Sequence, residues 1–456
     1  MTYSIIQKSQ LEGAHRLDAE YYQPEYLKIR ENIKNIGFLN FGDIITIFGS
    51  GKNIPQTDND SFIKFVRTQN VRPIILDDNG MSFTQQKNYP ELNYGDLLFV
   101  RVGEGVGNSS VVTKNFQGTT FSDNVIRIRI KNVNPFYISV LLNSKIGSLL
   151  MEQIKKGSAR SLISRENLDS LRIPKITQKQ QICFEEVVNQ SEKLIMESKK
   201  YYSQAEKLLL KKLCLENFNP EKNLFSIANF SDCQKANRID AEYFQPKFKQ
   251  LIKKLKENKS KLLSDVIETV PAKFNPMSES ERKFQYVELS NIDSSLGTIS
   301  GSSEVLGREA ASRAKRILKE NDVIVSSIEG SLEKVALASK EQSGFLASTG
   351  FFQFRSKEIL PEVLLVLAKS IVFQYQLKQR CAGTILTAVP QDSIKDILIP
   401  ILPKEIQQKI AGFVRKSHEA RQKSKELLEF AKNKVEVIIE KGKKYNDQSD
   451  QMSALQ

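Results

Sequence analysis

A chain of 456 residues is too long for one ordinary domain and suggests two or three. Its hydrophobic fraction of 40% and charged fraction of 26% suffice for buried cores and argue against extensive disorder. Lys and Arg number 67 against 53 Asp and Glu, giving a net charge of +14 spread over both halves rather than confined to a basic tail. Such an excess favours a polyanionic partner, nucleic acid before membrane surface, although charge alone fits mere solubility equally well. No apolar run approaches the length of a membrane helix, and the first residues have no signal-type core, so insertion and secretion are not expected. Cys183, Cys214, Cys233 and Cys381 never fall in a C-x-x-C pair, and the chain has only two histidines. No metal site is therefore expected, and the setting should be reducing and cytoplasmic.

Taken in chain order, the elements repeat. Arg16-Leu17-Asp18-Ala19-Glu20-Tyr21-Tyr22-Gln23-Pro24 opens a helical stretch from Asp18 to Asn35. It returns as Arg238-Ile239-Asp240-Ala241-Glu242-Tyr243-Phe244-Gln245-Pro246 before a second helical stretch, Asp240 to Lys259. Short β-rich runs follow in each copy: residues 62–68, 96–102 and 124–130 in the first, 284–290, 322–328 and 350–356 in the second. Phe65-Val66-Arg67-Thr68-Gln69-Asn70-Val71 corresponds to Tyr286-Val287-Glu288-Leu289-Ser290-Asn291-Ile292, and Gly95-Asp96-Leu97-Leu98-Phe99-Val100 to Asn321-Asp322-Val323-Ile324-Val325-Ser326. Helical patterns come next (Pro135 to Lys155, Pro361 to Gln379), then Ile173-Pro174 and its echo Ile399-Pro400. An ordered series of this kind marks a tandem duplication.

Each copy ends in a proline-free helix, about Gln178 to Glu216 and about Lys404 to Lys444. Both carry seams at steps of four and three. The first reads Val187, Ser191, Leu194, Ser198, Tyr201, Ala205, Leu208; the second reads Ile410, Val414, Ser417, Arg421, Ser424, Leu428, Ala431, Val435, Ile438. Small residues at alternate positions would let two helices approach closely. Each helix could instead pack on its own domain, but about 40 residues span roughly 58 Å at 1.5 Å per residue, which outreaches a domain of this size. The expectation is an antiparallel pair with one β-rich domain at each end. The segments are 1–177, 178–222 (first helix), 223–402, 403–446 (second helix) and a polar tail, 447–456.

Gly103-Glu104-Gly105-Val106-Gly107 after the Leu97 to Val102 strand looks like a nucleotide-cofactor turn. Three features argue against one. Arg101 replaces the expected acid, Ser110-Val111-Val112-Thr113 reads as a strand rather than a helix, and the second copy has Ile328-Glu329-Gly330-Ser331-Leu332-Glu333. A glycine-rich hairpin is expected instead. Phosphate loops and base-methylation motifs are absent from the sequence. The Glu-x-Lys triplets Glu197-Ser198-Lys199 and Glu257-Asn258-Lys259 lie on helical stretches, and His15 becomes Asn237 in the duplicate. Recognition, not catalysis, is the chemistry expected. Candidate readers are basic and amide side chains in loops. In the first copy these are Arg67, Gln69, Arg101, Asn108, Ser109, Lys114, Arg160 and Arg165. In the second they are Arg282, Lys283, Arg308, Arg313, Lys315, Arg316 and Lys334, although the patch from Arg308 to Arg316 also fits the solvated face of a short helix.

These residues resemble the specificity subunit of type I restriction–modification systems over nearly the full length. The paired R-[L/I]-D-A-E-Y-[Y/F]-Q-P openings carry the resemblance, with the F-V-R-T-Q-N-V/Y-V-E-L-S-N-I and G-D-L-L-F-V/N-D-V-I-V-S strands. So do Gly157-Ser158-Ala159-Arg160-Ser161-Leu162-Ile163-Ser164 and Ile399-Pro400-Ile401-Leu402-Pro403. The second copy departs from the family's glycine hairpin at Gly330 and from its run at Gly383 to Val389. The resemblance implies an α/β (α+β) fold with two target recognition domains, 1–177 and 223–402, separated by the two conserved helices as an antiparallel coiled coil. Each domain would read half of a split double-stranded DNA site. The helices would bind two modification (methyltransferase) subunits, with restriction/translocase subunits joining through the complex in phage defence. S-adenosylmethionine, ATP and Mg would belong to those partners, and this chain would hold no cofactor and catalyse nothing by itself. A self-sufficient methyltransferase or nuclease, or a scaffold without DNA, are the alternatives.

Overall fold

A computed structural model describes residues 5–6, 19–86, 89–102, 105, 107–155, 164–220, 225–382 and 387–441. The chain divides into two compact units, residues 1–195 with 422–456, and residues 196–421. Four helices begin where proline sits in the first turn, Pro24–Ile36, Pro135–Leu142, Pro246–Glu257 and Pro361–Lys369, because the missing N–H is not needed there. The longer helical stretches expected after Pro135 and Pro361 each break once, before Lys145–Lys155 and at Ser370 before Ile371–Arg380. Among the described residues no helix is long and apolar enough to cross a membrane, and the four cysteines are free.

In the first unit, Phe38–Asn40 pairs antiparallel with Arg172–Pro174, joining the opening of the copy to its end. Two sheets follow. Ile45–Ser50, Val125–Ile130, Leu97–Val100, Ser109–Val111 and Ile74–Ile75 form the larger, in that order. The smaller has Ile63–Val66 at its centre between Ser82–Thr84 and Thr120–Phe121. Leu97–Val100 alternates its buried side chains between two cores. Leu97 and Phe99 face the helices; Leu98 and Val100 face Val66, Phe116 and Phe121.

The second unit repeats this plan. Ser260–Leu262 pairs with Leu398–Pro400, and one sheet runs Ile267–Thr269, Phe351–Ser356, Val323–Ser326, Val335–Leu337. The other gains a strand, in the order Ser303–Leu306, Lys283–Val287, Leu346–Ser348, Ala314–Ile317. That added strand is where a solvated helix face was one reading of the Arg308 to Arg316 patch; the chain there forms a single 3₁₀ turn and then the strand.

One polar arrangement is present twice. Asp96 is fully buried; its carboxylate accepts from Arg129 at 2.7 and 2.9 Å and from the Asn93 N–H at 2.8 Å. Asp322, equally buried, accepts from Arg355 at 2.8 and 3.3 Å, from the Lys319 N–H at 2.8 Å and from Gln353 at 2.5 Å. Hydrogen bonding to Asp96 also raises the Arg129 pKa.

The long helices are Gln178–Lys212 and Lys404–Lys441. In the first unit the Ser191 hydroxyl lies 2.7 Å from that of Ser424, and Lys434 acts on Cys183. In the second unit the Ser198 hydroxyl donates to the Ser417 carbonyl at 2.7 Å, and Lys416 lies over Tyr201. In each unit partner numbers fall as residue numbers rise, so the segments run antiparallel. Ile410, Val414, Val435 and Ile438 are buried as the seam required, with Leu428 half-buried. On the first helix the register differs. Val187, Leu194, Tyr201 and Leu208 are only half-buried, while Phe184, Val188, Tyr202 and Leu209 are inside. This helix serves two surfaces, its partner helix and its own domain. Gln181 accepts from the Asn134 N–H at 2.8 Å, and Glu185 accepts from Tyr94 and Asn134 at 2.7 and 2.6 Å. Gln407 repeats the first of these contacts on Leu360 at 3.0 Å.

Near this helix pair in the second unit, His418 Nε2 lies 3.1 Å from the Leu296 carbonyl. Burial, the largest influence, pushes its pKa down against the opposing pull of that carbonyl, Glu362 and Asp293; Lys369 pushes the same way as burial. A histidine kept neutral in the fold stabilises above its unfolded pKa of about 6.5, and that contribution is lost as pH falls toward the folded value. Chemical denaturation at pH 7.5 and 5.5 should therefore show a larger loss for the wild type than for His418→Gln. Arg129 and Arg355 remain partly in water, so Asp96→Ala or Asp322→Ala, which removes the buried member of each pair, should lower unfolding free energy in urea by about 1–3 kcal/mol.

Candidate nucleic-acid interface

In the first unit backbone hydrogen bonds draw several loop starts to one rim. The Ser122 N–H donates to Val66 O at 2.9 Å, the Arg101 N–H to Asn124 O at 2.9 Å, and the Lys52 N–H to Phe121 O at 3.2 Å. Lys52, Arg67 and Arg101 thus leave the ends of three strands around the Ser122–Asn124 turn. Gly51 permits this closeness, since a Cβ there would stand 2.0 Å from Phe121 O. The hairpin between Leu97–Val100 and Ser109–Val111 projects from the rim. Gly105 and Gly107 in its tip have φ of +88° and +95°, as the glycine-rich turn required. Gly103, Glu104 and Val106 lie outside the described residues.

Arg67 and Gln69 share one acceptor, donating to Gly80 O at 2.6 and 3.0 Å, which ties two candidate readers to the next loop. Arg101 is exposed and Asn108 half-exposed. Ser109 requires a correction: it is fully buried, its hydroxyl accepting from Asn143 at 3.1 Å, and cannot reach a ligand from this position. Lys114 is exposed beyond the open end of the hairpin, away from its tip. Arg165 is engaged by Asp169 at 2.6 Å and Gly42 O, so it braces the framework. Arg160 lies outside the described residues.

The second unit builds an equivalent rim from different side chains. The Ser327 N–H donates to Gly350 O at 2.9 Å, the Thr349 N–H to Arg313 O at 2.8 Å, and the Phe274 N–H to Lys315 O at 3.1 Å. Exposed Arg313, Lys315 and Lys273 gather there. Tyr286 stands beside Arg313 and Glu288, its pKa raised chiefly by burial. Arg282, Lys283 and Arg308 are exposed but paired, with Glu279 at 2.6 Å, Glu304 at 2.8 Å and Glu281. Lys334 is half-buried and donates to Ile292 O at 3.1 Å. Arg316 also requires a correction. It is buried, donates to Val270 O at 2.6 Å, and burial lowers its pKa. In the short strand Ala314–Ile317 alternate residues face opposite sides, so Lys315 is outward and Arg316 inward.

Lys52 and Lys273 were missed in the sequence. The available signal was their place just after corresponding strands, Ile45–Ser50 and Ile267–Thr269.

Residues 256–429 match the family model for the type I restriction modification DNA specificity domain. The second copy, with much of its long helix, thus resembles this specificity domain. Solved structures resemble the chain over most of its length. The S subunit of a type I restriction–modification system from M. genitalium is 12% identical, covering 89% of this chain and 95% of that one, with a TM-score of 0.43. The HsdS subunit from Thermoanaerobacter tengcongensis is 12% identical, covering 89% and 96%, with a TM-score of 0.29. No curated protein sequence matches. The family model falls on the second copy alone; the repeated aspartate network and strand order carry the same plan to the first.

Neighbouring arginines separate into an exposed and a buried side chain. Arg313→Ala should leave urea stability within about 0.5 kcal/mol, as surface changes usually do. Arg316→Ala, which removes a buried hydrogen-bonded side chain, should cost about 1–3 kcal/mol. The two urea midpoints, compared at equal slope, check this.

Proposed function

We propose that this chain is the DNA-specificity component of a type I restriction–modification assembly, each unit reading one half of a split double-stranded site. The observation that carries the reading is one framework present twice with two different rims, in a family defined by DNA specificity. Arg67 and Arg101 of the first rim correspond to Glu288 and Ser327 of the second, where Arg313 and Lys315 supply the positive charge instead. Two such readers would prefer different sequences. The paired helices would set the unread spacer and dock two modification (methyltransferase) subunits, with restriction/translocase subunits joining through the complex. S-adenosylmethionine, ATP and Mg would be bound by those partners, and this chain alone would neither methylate nor cut DNA. The sequence supports that division of labour, since it carries no recognisable catalytic or phosphate-loop motif.

Methylome sequencing of cells with and without the chain tests the role. A split adenine-methylated motif should vanish on deletion; a motif that persists would end the proposal. Binding of the purified chain to duplex DNA should weaken steeply between low and moderate salt, because Lys and Arg contacts release counterions. Arg101→Ala should reduce the slope of log affinity against log salt by about one contact's worth and leave the second half-site unchanged.

The spacer is tested by length. A heptad adds about 10 Å to a helix, about three base pairs, and keeps the seam in phase. The Ser198–Ser417 contact places the matched insertions after Ser198 and after Lys416. The methylated motif should keep both half-sites and widen its spacer by about one to three base pairs. An active variant with an unaltered spacer would show that the helices are not the ruler.

A further inference from the structure

The first unit contains a recess unconnected with the reading rim, lined by Tyr21, Arg30, Gln153, Ser170 and Arg172. Arg172 lies on the strand paired with Phe38–Asn40. The strand Ile45–Ser50, roughly 20 Å at 3.3 Å per residue, runs from that end of the unit to the rim. Arg30 stands 4.4 Å from the Tyr21 ring centre and donates to the Tyr21 hydroxyl, and Arg172 stands 4.6 Å from the ring centre of Phe38. Stacking fixes both guanidiniums while leaving most of their N–H donors unused. Among the described residues no carboxylate pairs with either. The groups that act on Arg172 are its own partial burial, then Arg30, then Tyr21, and the first two disfavour its charge. Gln153, itself buried, is committed to the Tyr21 carbonyl at 2.6 Å and keeps the wall in place.

We infer that Arg30 and Arg172 form a phosphate-binding site on the first unit. Two like charges sharing a recess, with no carboxylate on either among the described residues, repel each other, and an anion between them reverses the sign of that interaction. Two planar forks from different elements, a helix and a strand, present more donors than the two oxygens of one carboxylate can accept. A phosphate, with at least three acceptor oxygens, matches them. The site is private to this copy. At the corresponding positions of the second unit stand Ile252 and Leu398, which bind no anion. One phosphate per chain is the consequence, in a molecule whose other recurring features come in pairs. The phosphate can arrive free, as inorganic phosphate or on a nucleotide, or as part of a DNA backbone.

Calorimetric titration of inorganic phosphate into the purified full-length chain in chloride buffer tests the site. One saturable event per chain is expected, weakened at least about tenfold by Arg172→Gln or Arg30→Gln, since charge-assisted bidentate pairing is lost. Arg172 is largely exposed, so its variant keeps the fold even if Arg30→Gln does not, and far-ultraviolet circular dichroism verifies this. Lys175→Gln, a nearby exposed cation with no part in the recess, should leave the affinity unchanged. No saturable binding, or equal binding by the wild type and Arg172→Gln, overturns the inference. Repeating the titration on the chain saturated with a short duplex separates the sources. Loss of the phosphate event identifies a DNA backbone phosphate as the occupant, and its retention identifies a free one.

Discussion

Asp96 and Asp322 are carboxylates carried wholly out of water, and an unpaired charge in that position would be costly enough to unfold a domain. Each is neutralised by an arginine from the neighbouring strand and by a backbone N–H from the turn before it. Three pieces of chain are thereby locked together: the turn, the strand that leads to the hairpin, and the strand beside it. The register of Leu97–Val100 against Val125–Ile130, and of Val323–Ser326 against Phe351–Ser356, follows from that lock. Since the hairpins grow from the far ends of the same strands, the position of each rim depends on it. A slip of one residue would turn every side chain of the strand to the wrong core.

Much of this was legible in the sequence because it depends on patterns that survive duplication. The β runs and the two long helices stand where the sequence pattern placed them, whereas the helices expected from Asp18 and Asp240 start only at Pro24 and Pro246, and those after Pro135 and Pro361 each break once. The strand after the glycine-rich loop, rather than a helix, was readable from Ser110 to Thr113. The first helix misled by one position, Val187 for Val188 and Tyr201 for Tyr202, because a heptad count assumes one packing surface and this helix has two. Ser109 and Arg316 misled for a different reason. In strands of three or four residues a side chain's face depends on pairing partners distant in sequence, which composition cannot reveal. Lys52 was missed because its importance lies only in the hydrogen bond that brings it to Phe121, and Gly51, which allows that approach, looks like any loop glycine.

The two rims show how duplicated frames diverge without cost to folding. Asn70 and Asn291 each turn a side-chain oxygen to the backbone three residues earlier, at 3.0 and 2.8 Å, so the same loop start is enforced in both units. What the loop then presents is free to change, Arg67 in one and Glu288 in the other. The second unit compensates with an added strand, Ala314–Ile317, whose outward residues bring back positive charge. Positive charge at the rim is therefore retained by different means, while the side chains presented beside it differ.

The helix seams use small residues for a related reason. Ser191 and Ser424, like Ser198 and Ser417, are buried hydroxyls that satisfy one another or a facing carbonyl. Larger apolar residues there would separate the helices, and a change to Ser191 or Ser198 alone would remove the hydroxyl that faces Ser424 or Ser417 in the seam. A hydrogen-bonded pair of small residues specifies which turn faces which, something a uniform leucine seam does less well. The order is then consistent from end to end: hydrogen-bonded buried polar groups such as these fix register, and apolar contacts supply the bulk of the stabilisation. The exposed charges of the rims are left out of both roles, which is what allows them to vary.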